Sequence, residues 1–383
     1  MTVIDKLLTP IINLPDSEGQ TALDAYAKML GIFRFVDLDE NTIEQERLQS
    51  ALYRVHYSTA LEGVDYQFEH VKQLVNNEKQ PLEKLEREVM GYHQAEMFLF
   101  KRMDLPFDVY MLNDMQQVFF SKPPEGIKSD LFTSQIYSYQ GVDLSLLYDS
   151  GMAALCDFLQ HDTQWDPITQ SWVIHFFVLM KGPWGMANGR VARLLQFNWL
   201  LRHNLTLAGL LVLDQQLYKQ KEAYRVQCQI AMQKGQDIKL DKPIDFTEYI
   251  KFGYKLHKDY LETLQDNLKN YYTSNTHYNT ASPRLKNVIN YVFEKAGSIN
   301  FASHSGLNER QQQLMQVLYR QGVIQTKELF DTFDVNRKTL QRDFIELAER
   351  GLIKVTGEGR GVKYTLNMGK GLPAKLQRYQ AIL

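Results

Sequence analysis

Cysteine is scarce in this 383-residue chain: only Cys156 and Cys228 occur, each within an apolar, helix-like stretch. Two thiols cannot build the disulfide framework of a small secreted domain, and a chain of this length can bury a core without one. Both read as reduced core thiols, because neither sits in an electropositive loop that would make it a nucleophile. Long apolar runs are missing as well. The longest, around Ile174 to Met180 and Leu207 to Leu213, fall short of the roughly 18 residues needed to span a bilayer, and the first carries His175. The N-terminus has no charged, apolar and small-residue signal pattern, so a cytoplasmic location without membrane contact is expected. An excess of one charge is also lacking. The formal net charge of −2 argues against wholesale coating of nucleic acid but leaves room for a local basic surface.

What is present is apolar bulk with helical spacing. Apolar residues make up 44 % of the chain, and at roughly 150 residues per domain its length predicts two or three domains. From Thr42 to Met103 they recur at three and four (Leu48, Leu52, Val55, then Leu85, Val89, Tyr92, Met97), interrupted at Asn76 to Pro81. Pro106, Pro123, Pro124 and Gly126 punctuate the next region, and Phe132 to Gln140 is short, aromatic and alternating, as a small hairpin or extended flap would be. Helical periodicity returns at Leu146 to Gln160, Ile168 to Leu179, Asn188 to Arg202, Asp214 to Lys234 and Asp245 to Tyr272. Four segments follow: an N-terminal helical region over 1–105, a core over 106–275, a linker with a helix over 276–305, and a C-terminal domain over 306–383.

The last segment reads as three helices and a hairpin. Leu307 to Gln321 carries Leu314, Val317 and Leu318 on one face. Thr326 can cap a short second helix with Leu329 and Phe330. After a turn at Asp334 and Val335, Asn336 caps a third helix whose buried stripe is Leu340, Phe344, Ile345 and Leu347, and Gly351 ends it. LIKVTGEGRGVKYTL then alternates about a glycine-rich tip, as a β-hairpin does. This is the layout of a winged helix-turn-helix, whose third helix enters the DNA major groove. Asn336, Arg337, Lys338, Gln341 and Arg342 are the candidate DNA contacts, with Arg360 and Lys363 on the adjacent backbone. Asp343, Glu346 and Glu349 nearly balance that charge, and a solvated or protein-contacting face is the alternative. VNRKTLQRDFIELAERGLI resembles DeoR-like helix-turn-helix regulators.

The most informative segment is GPWGMANGRVARLL, Gly182 to Leu195. A turn leads into a helix opening on Asn188, Gly189 and Arg190, and free amides at a helix start attract an anion. Gly189 removes the Cβ that would hold a phosphate off the backbone. Arg190 and Arg193 are three apart and so share a face from which both can grip phosphate oxygens. The segment resembles the Fic motif HPFx(D/E)GNGRxxR at Pro183, Trp184 (for Phe), Asn188, Gly189, Arg190 and Arg193. Upstream, STALEG (Ser58 to Gly63) is similar to the (S/T)xxxE(G/N) inhibitory helix of many Fic proteins. The resemblance implies a mostly α fold: a Fic-type helical core with a small flap hairpin at FTSQIYSYQ, plus the C-terminal winged helix-turn-helix. It further implies ATP or another nucleotide as ligand, a protein target, and an inhibitory role for Ser58, Glu62 and Gly63, with Glu62 pairing Arg193 in place of a γ-phosphate.

The departures from the motif fall on the chemistry. Gly182 stands where the family has the histidine that deprotonates a target hydroxyl, and glycine has no titratable group. Loss of a general base costs on the order of 10²–10⁴ in rate. Met186 stands at the acidic Mg²⁺ position, and a thioether is a poor partner for a cation that needs oxygen. Ala187 replaces a smaller glycine. His175, about two turns upstream, reads as a core histidine, and Lys181 would need a strongly depressed pKa to act as a base. The expectation is therefore a regulatory protein that keeps anion binding and has lost transfer. The alternatives are an AMP transferase with an atypical base, autoinhibited by Glu62, and a scaffold that binds neither nucleotide nor DNA.

Overall fold

The computed structural model describes residues 3–36, 40–103, 105–120, 144–161, 165–207, 209–236, 244–274, 306–321, 323–325, 333, 335–357 and 362–367. The expected flap at Phe132 to Gln140, the linker at 276–305, the short helix opened by Thr326 and the wing-tip Arg360 lie outside the described residues. The chain divides into two compact units: Met1–Gly19 with Ile43–Tyr260, and Gln20–Thr42 with Leu261–Leu383. The segment carrying Ser58 and Glu62 thus belongs to the same unit as Gly182 to Arg193, rather than to a separate N-terminal region.

The fold is mostly α. The helices are α1 (Val3–Leu8), α2 (Asp16–Val36), α3 (Glu40–Leu61), α4 (Phe68–Val75), α5 (Lys84–Lys101), α6 (Val109–Phe119), α7 (Leu144–Asp149), α8 (Met152–His161) and α9 (Pro167–Lys181). After a 3₁₀ turn at Gly185–Ala187 come α10 (Asn188–Arg202), α11 (Leu213–Lys219), α12 (Lys221–Gln236) and α13 (Thr247–Ser274). The periodicity over Thr42 to Met103 resolves into α3, α4 and α5, with the anticipated break at Asn76 to Pro81 and a further one after Leu61. The single helix expected over Asp214 to Lys234 is two, α11 and α12.

The first unit is built on the α9–α10 hairpin. Every residue of α9 from Ile168 to Val178, and of α10 from Gly189 to Leu201, is buried. A helix buried on all sides is the centre of a core. The start of α9 is set locally: Pro167 occupies the first turn, and Asp166 Oδ1 accepts from the amides of Ile168 (2.9 Å) and Thr169 (3.2 Å). α5 packs against α6, α4 and α10. Its first turn is held by Glu86, whose carboxylate accepts from the amides of Leu82 (2.7 Å) and Glu83 (3.0 Å) and from Lys79 Nζ (2.7 Å). Cys156 and Cys228 are buried free thiols, and burial above all pushes both up to about 12. None of the described helices is long and apolar enough to cross a membrane.

In the second unit, α14 (Glu309–Gln321) and α15 (Arg337–Glu349) pack on a three-stranded antiparallel sheet. Two strands were expected from the sequence. The third, β1 (Val323–Gln325), pairs with β3 (Lys363–Leu366), which also pairs with β2 (Ile353–Thr356), giving the order β1-β3-β2. β1 has only three residues, too few for alternation to show. Asn336 caps α15 by accepting from Thr339 N at 3.0 Å, and Gly351 leaves it with φ of 68°. Leu340, Phe344 and Leu347 are fully buried, and the Phe344 ring stacks on Tyr364 at 3.9 Å. Ile345 does not join them. It is 58 % exposed, because the helical turn that buries Leu340, Phe344 and Leu347 carries position 345 to the opposite face.

Glu86 yields a pH-dependent prediction. Burial opposes its charge, but Lys79 and the two amides outweigh burial and hold the carboxyl at about 2, against 4.5 when free. A carboxyl that is more acidic folded than unfolded contributes stability above the unfolded value, and that stability is lost as pH falls through the folded one. Glu86→Gln should cost about 1–3 kcal/mol near neutral pH. In urea titrations its deficit against the parent should shrink as pH drops from 4.5 to about 2.

Candidate functional site

One stripe of α3 organises the site. Arg54, Ser58 and Glu62 are spaced by four, so the two on the helix and the residue just past its end project to the same side. Arg54 is 2 % exposed and pairs with Glu96 of α5 at 2.5 Å. It also donates to the carbonyls of Gly209 (2.7 Å) and Leu211 (2.8 Å), and its guanidinium lies 4.1 Å from the centre of the Phe197 ring of α10. α3 is therefore fixed to the core one turn before Ser58. It stops just after Ser58: Glu62 N and Val64 N both donate to Thr59 O, Gly63 N donates to Ala60 O, and Gly63 has φ of 85°. Only glycine takes that backbone at no steric cost, which explains the residue after Glu62.

Arg193 of α10 meets this stripe. Its Nε donates to Ser58 Oγ (2.8 Å) and its Nη2 to both Ser58 O (2.8 Å) and Glu62 Oε1 (2.8 Å). Asp214, at the start of α11, stands 3.5 Å from Nε, and Nη1 reaches the Tyr224 hydroxyl at 3.4 Å. Burial disfavours the Arg193 charge, yet Tyr224, Glu62 and Asp214 together raise its pKa above the ordinary arginine value. Burial is the main force on Asp214 and raises its pKa against the pull of Arg193 and Arg54. Glu62 keeps 30 % of its side chain exposed. Its carboxylate lies directly over Gly189, where a Cβ would stand 2.1 Å from Oε1. The start of α10 is thus covered by an anion from the chain itself.

The loop before α10 differs in part from the sequence expectation. The 3₁₀ turn ties back two amides near the helix start, Ala187 N to Trp184 O and Asn188 N to Gly185 O. Asn188, expected among the anion ligands, spends both ends of its carboxamide on the loop: Nδ2 donates to Gly182 O (2.8 Å) and Oδ1 accepts from Trp184 N (3.0 Å). Arg190 does not converge with Arg193. Its Nη1 donates to Glu88 Oε2 of α5 at 2.7 Å. Trp184 is fully buried and donates through its indole N–H to Gln116 of α6. Gly182 leaves no room for a side chain, because a Cβ there would stand 2.5 Å from Val178 O and 2.7 Å from Asn188 Oδ1.

Met186 is 84 % exposed on the 3₁₀ turn, so the position that would hold Mg²⁺ offers a thioether. Among the described residues no group of three histidine, cysteine, aspartate or glutamate side chains could hold a metal ion. His175 is fully buried between two tyrosines: Nε2 is 3.0 Å from Tyr224 Oη, and Nδ1 hydrogen-bonds Tyr249 Oη. Burial, with Arg193 adding to it, lowers its pKa well below the usual value, so the ring stays neutral. Tyr224 bridges it to Arg193. Sequence reading missed Asp214, Glu88, Gln116 and Arg54. The first three are single polar residues many positions from their partners, with no local pattern to mark them, whereas Arg54 continues the four-residue spacing of Ser58 and Glu62.

In the second unit, Asn336, Arg337, Lys338, Gln341 and Arg342 are all exposed at the first turns of α15. Lys363 is exposed on β3. Asp343 does not offset this charge at the surface. It is 2 % exposed and receives Arg310 of α14 through Nε (2.5 Å) and Nη2 (3.2 Å). Glu346 accepts from Gln311 Nε2 at 2.9 Å.

Comparison with known proteins bears on both units. Residues 310–360 match the DeoR-like helix-turn-helix domain. A Fic family protein from Desulfovibrio desulfuricans G20 superposes with a TM-score of 0.50 at 14 % identity, over 94 % of this chain and 98 % of that one. No curated protein matches. The chain has the fold of a Fic family protein and carries a DeoR-like helix-turn-helix domain at its C-terminal end.

The closed space at Gly182 predicts that the missing side chain cannot simply be restored. Gly182→His must displace a backbone carbonyl and break the Asn188 clasp. It should cost about 1–3 kcal/mol in a denaturant melt, the usual penalty of overpacking.

Proposed function

We propose that this is a regulatory protein whose Fic-type core binds a nucleotide or other phosphate at Arg193 and the start of α10, without transferring it, and whose winged helix contacts DNA. The observation that carries the reading is the Glu62 carboxylate on Arg193, over Gly189, beside a position 182 that has neither a titratable group nor space for one. A carboxylate and a phosphate oxygen compete for the same guanidinium hydrogens, so an incoming phosphate must displace Glu62. The exposed cations and amides of α15, with Asp343 neutralised internally, support DNA contact. A cytoplasmic location goes with that role.

The core is tested by calorimetric titration with ATP and with AMP. Glu62→Gly should bind ATP at least about tenfold more tightly than the parent, the value of a charged hydrogen bond removed from competition. No heat from either protein, with melting temperatures unchanged at millimolar nucleotide, would sink the ligand reading. With α-labelled ATP, both proteins should leave gels blank. Label that grows in Glu62→Gly would instead establish an AMP transferase working with an atypical base. Retention on duplex DNA should fall steeply with added salt, since counterions return to each released phosphate. Absence of retention at any salt would leave a protein scaffold.

A further inference from the structure

We infer that Ile345 reads the 5-methyl group of a thymine in the DNA major groove. This rests on the proposal that α15 contacts DNA and adds to it the base feature recognised. On α15 the buried positions are Leu340, Asp343, Phe344 and Leu347. At 100° per residue, the middle of the opposite face is occupied by Lys338, Arg342 and Ile345, with Gln341 alongside. Ile345 is 58 % exposed at the centre of that face, where a solvated helix would carry a polar residue. A branched aliphatic side chain left there forgoes the burial that its neighbours Phe344 and Leu347 obtain.

The surroundings point to the occupant. Toward the N-terminus of the helix stand cations and amides suited to phosphates and base edges: Asn336, Arg337, Lys338, Gln341 and Arg342. Lys338 and Ile345 are seven residues apart, so they lie about 10 Å apart along the axis, within reach of a few successive base pairs in a groove about 12 Å wide. Past Ile345 the same face carries Glu349, which phosphates repel. Ile345 is therefore the last position of the polar stripe that can remain close to DNA. The one apolar group that a base pair presents in the major groove is the thymine methyl.

The test uses the full chain and a random-sequence duplex library, selected at about 50 mM salt. Each thymine of the recovered site is then replaced by deoxyuridine, which removes only the methyl. At one or two positions the parent protein should lose about fourfold in affinity, the size of one methyl group returned to water. Ile345→Ala should bind the thymine and deoxyuridine duplexes equally, with an unchanged melting temperature. The deoxyuridine arm requires no variant and so stands even if a substitution disturbs folding. A parent protein insensitive to every methyl would overturn the inference, as would Ile345→Ala retaining the sensitivity. If Ile345→Ala instead dissociates a dimer in sedimentation while methyl dependence persists, the residue belongs to a self-association surface. Failure to retain any duplex overturns the DNA proposal itself, a result separate from finding DNA bound without methyl dependence.

Discussion

A guanidinium buried in a helical core must be given negative partners or it destabilises the fold, and Arg193 imposes that demand here. Taking such a charge out of water costs several kcal/mol that only well-placed partners return. Ser58 supplies a hydroxyl and a carbonyl, Asp214 a buried carboxylate, and Glu62 a carboxylate at the edge of solvent. Three of these groups come from the end of α3, so the placement of that helix follows from the need to neutralise α10. Arg54 and Glu96 repeat the pattern one turn earlier, and removing either partner of such a pair costs about 3–5 kcal/mol. Structural neutralisation and the proposed competition with a phosphate thus rest on the same few bonds. They differ in burial: Asp214 is enclosed, whereas Glu62 can reach water.

The loop between α9 and α10 shows how far a motif can be kept in letter and altered in use. Asn188, Gly189, Arg190 and Arg193 stand at the expected spacing, yet only Gly189 and Arg193 face the Glu62 carboxylate. Asn188 is the clasp that closes the turn, and Arg190 is a tie between α10 and α5. The absence of a side chain at Gly182 is built into the packing, because Val178 O and Asn188 fill the space.

Much of the fold was legible because long amphipathic segments and their caps are local. Asp166 with Pro167, Asn336 and Gly351 each mark a helix boundary through bonds to residues two to four positions away. The pairing of Ser58 and Glu62 with Arg193 was legible only through the spacing of a family motif, since 131 residues separate Glu62 from Arg193. The differences between sequence and structure have more than one cause. The partner of Arg190 depends on α5 packing beside it, Asn188 bonds within its own loop to Gly182 and Trp184, and β1 is too short for its alternation to be seen. Ile345, aliphatic and adjacent to Phe344, reads as core, but helical phase overrides hydrophobicity at a single position.

The anchoring of α3 through Arg54 has a mechanical corollary. Because the helix is tethered above and ended by Gly63 below, its backbone need not travel for the Glu62 carboxylate to leave Arg193. Rotation about the few bonds of one partly exposed side chain is enough, once its 2.8 Å bond to Arg193 is broken. In the proposed competition, a phosphate would then need only a side-chain movement, not a helix displacement, to reach Arg193.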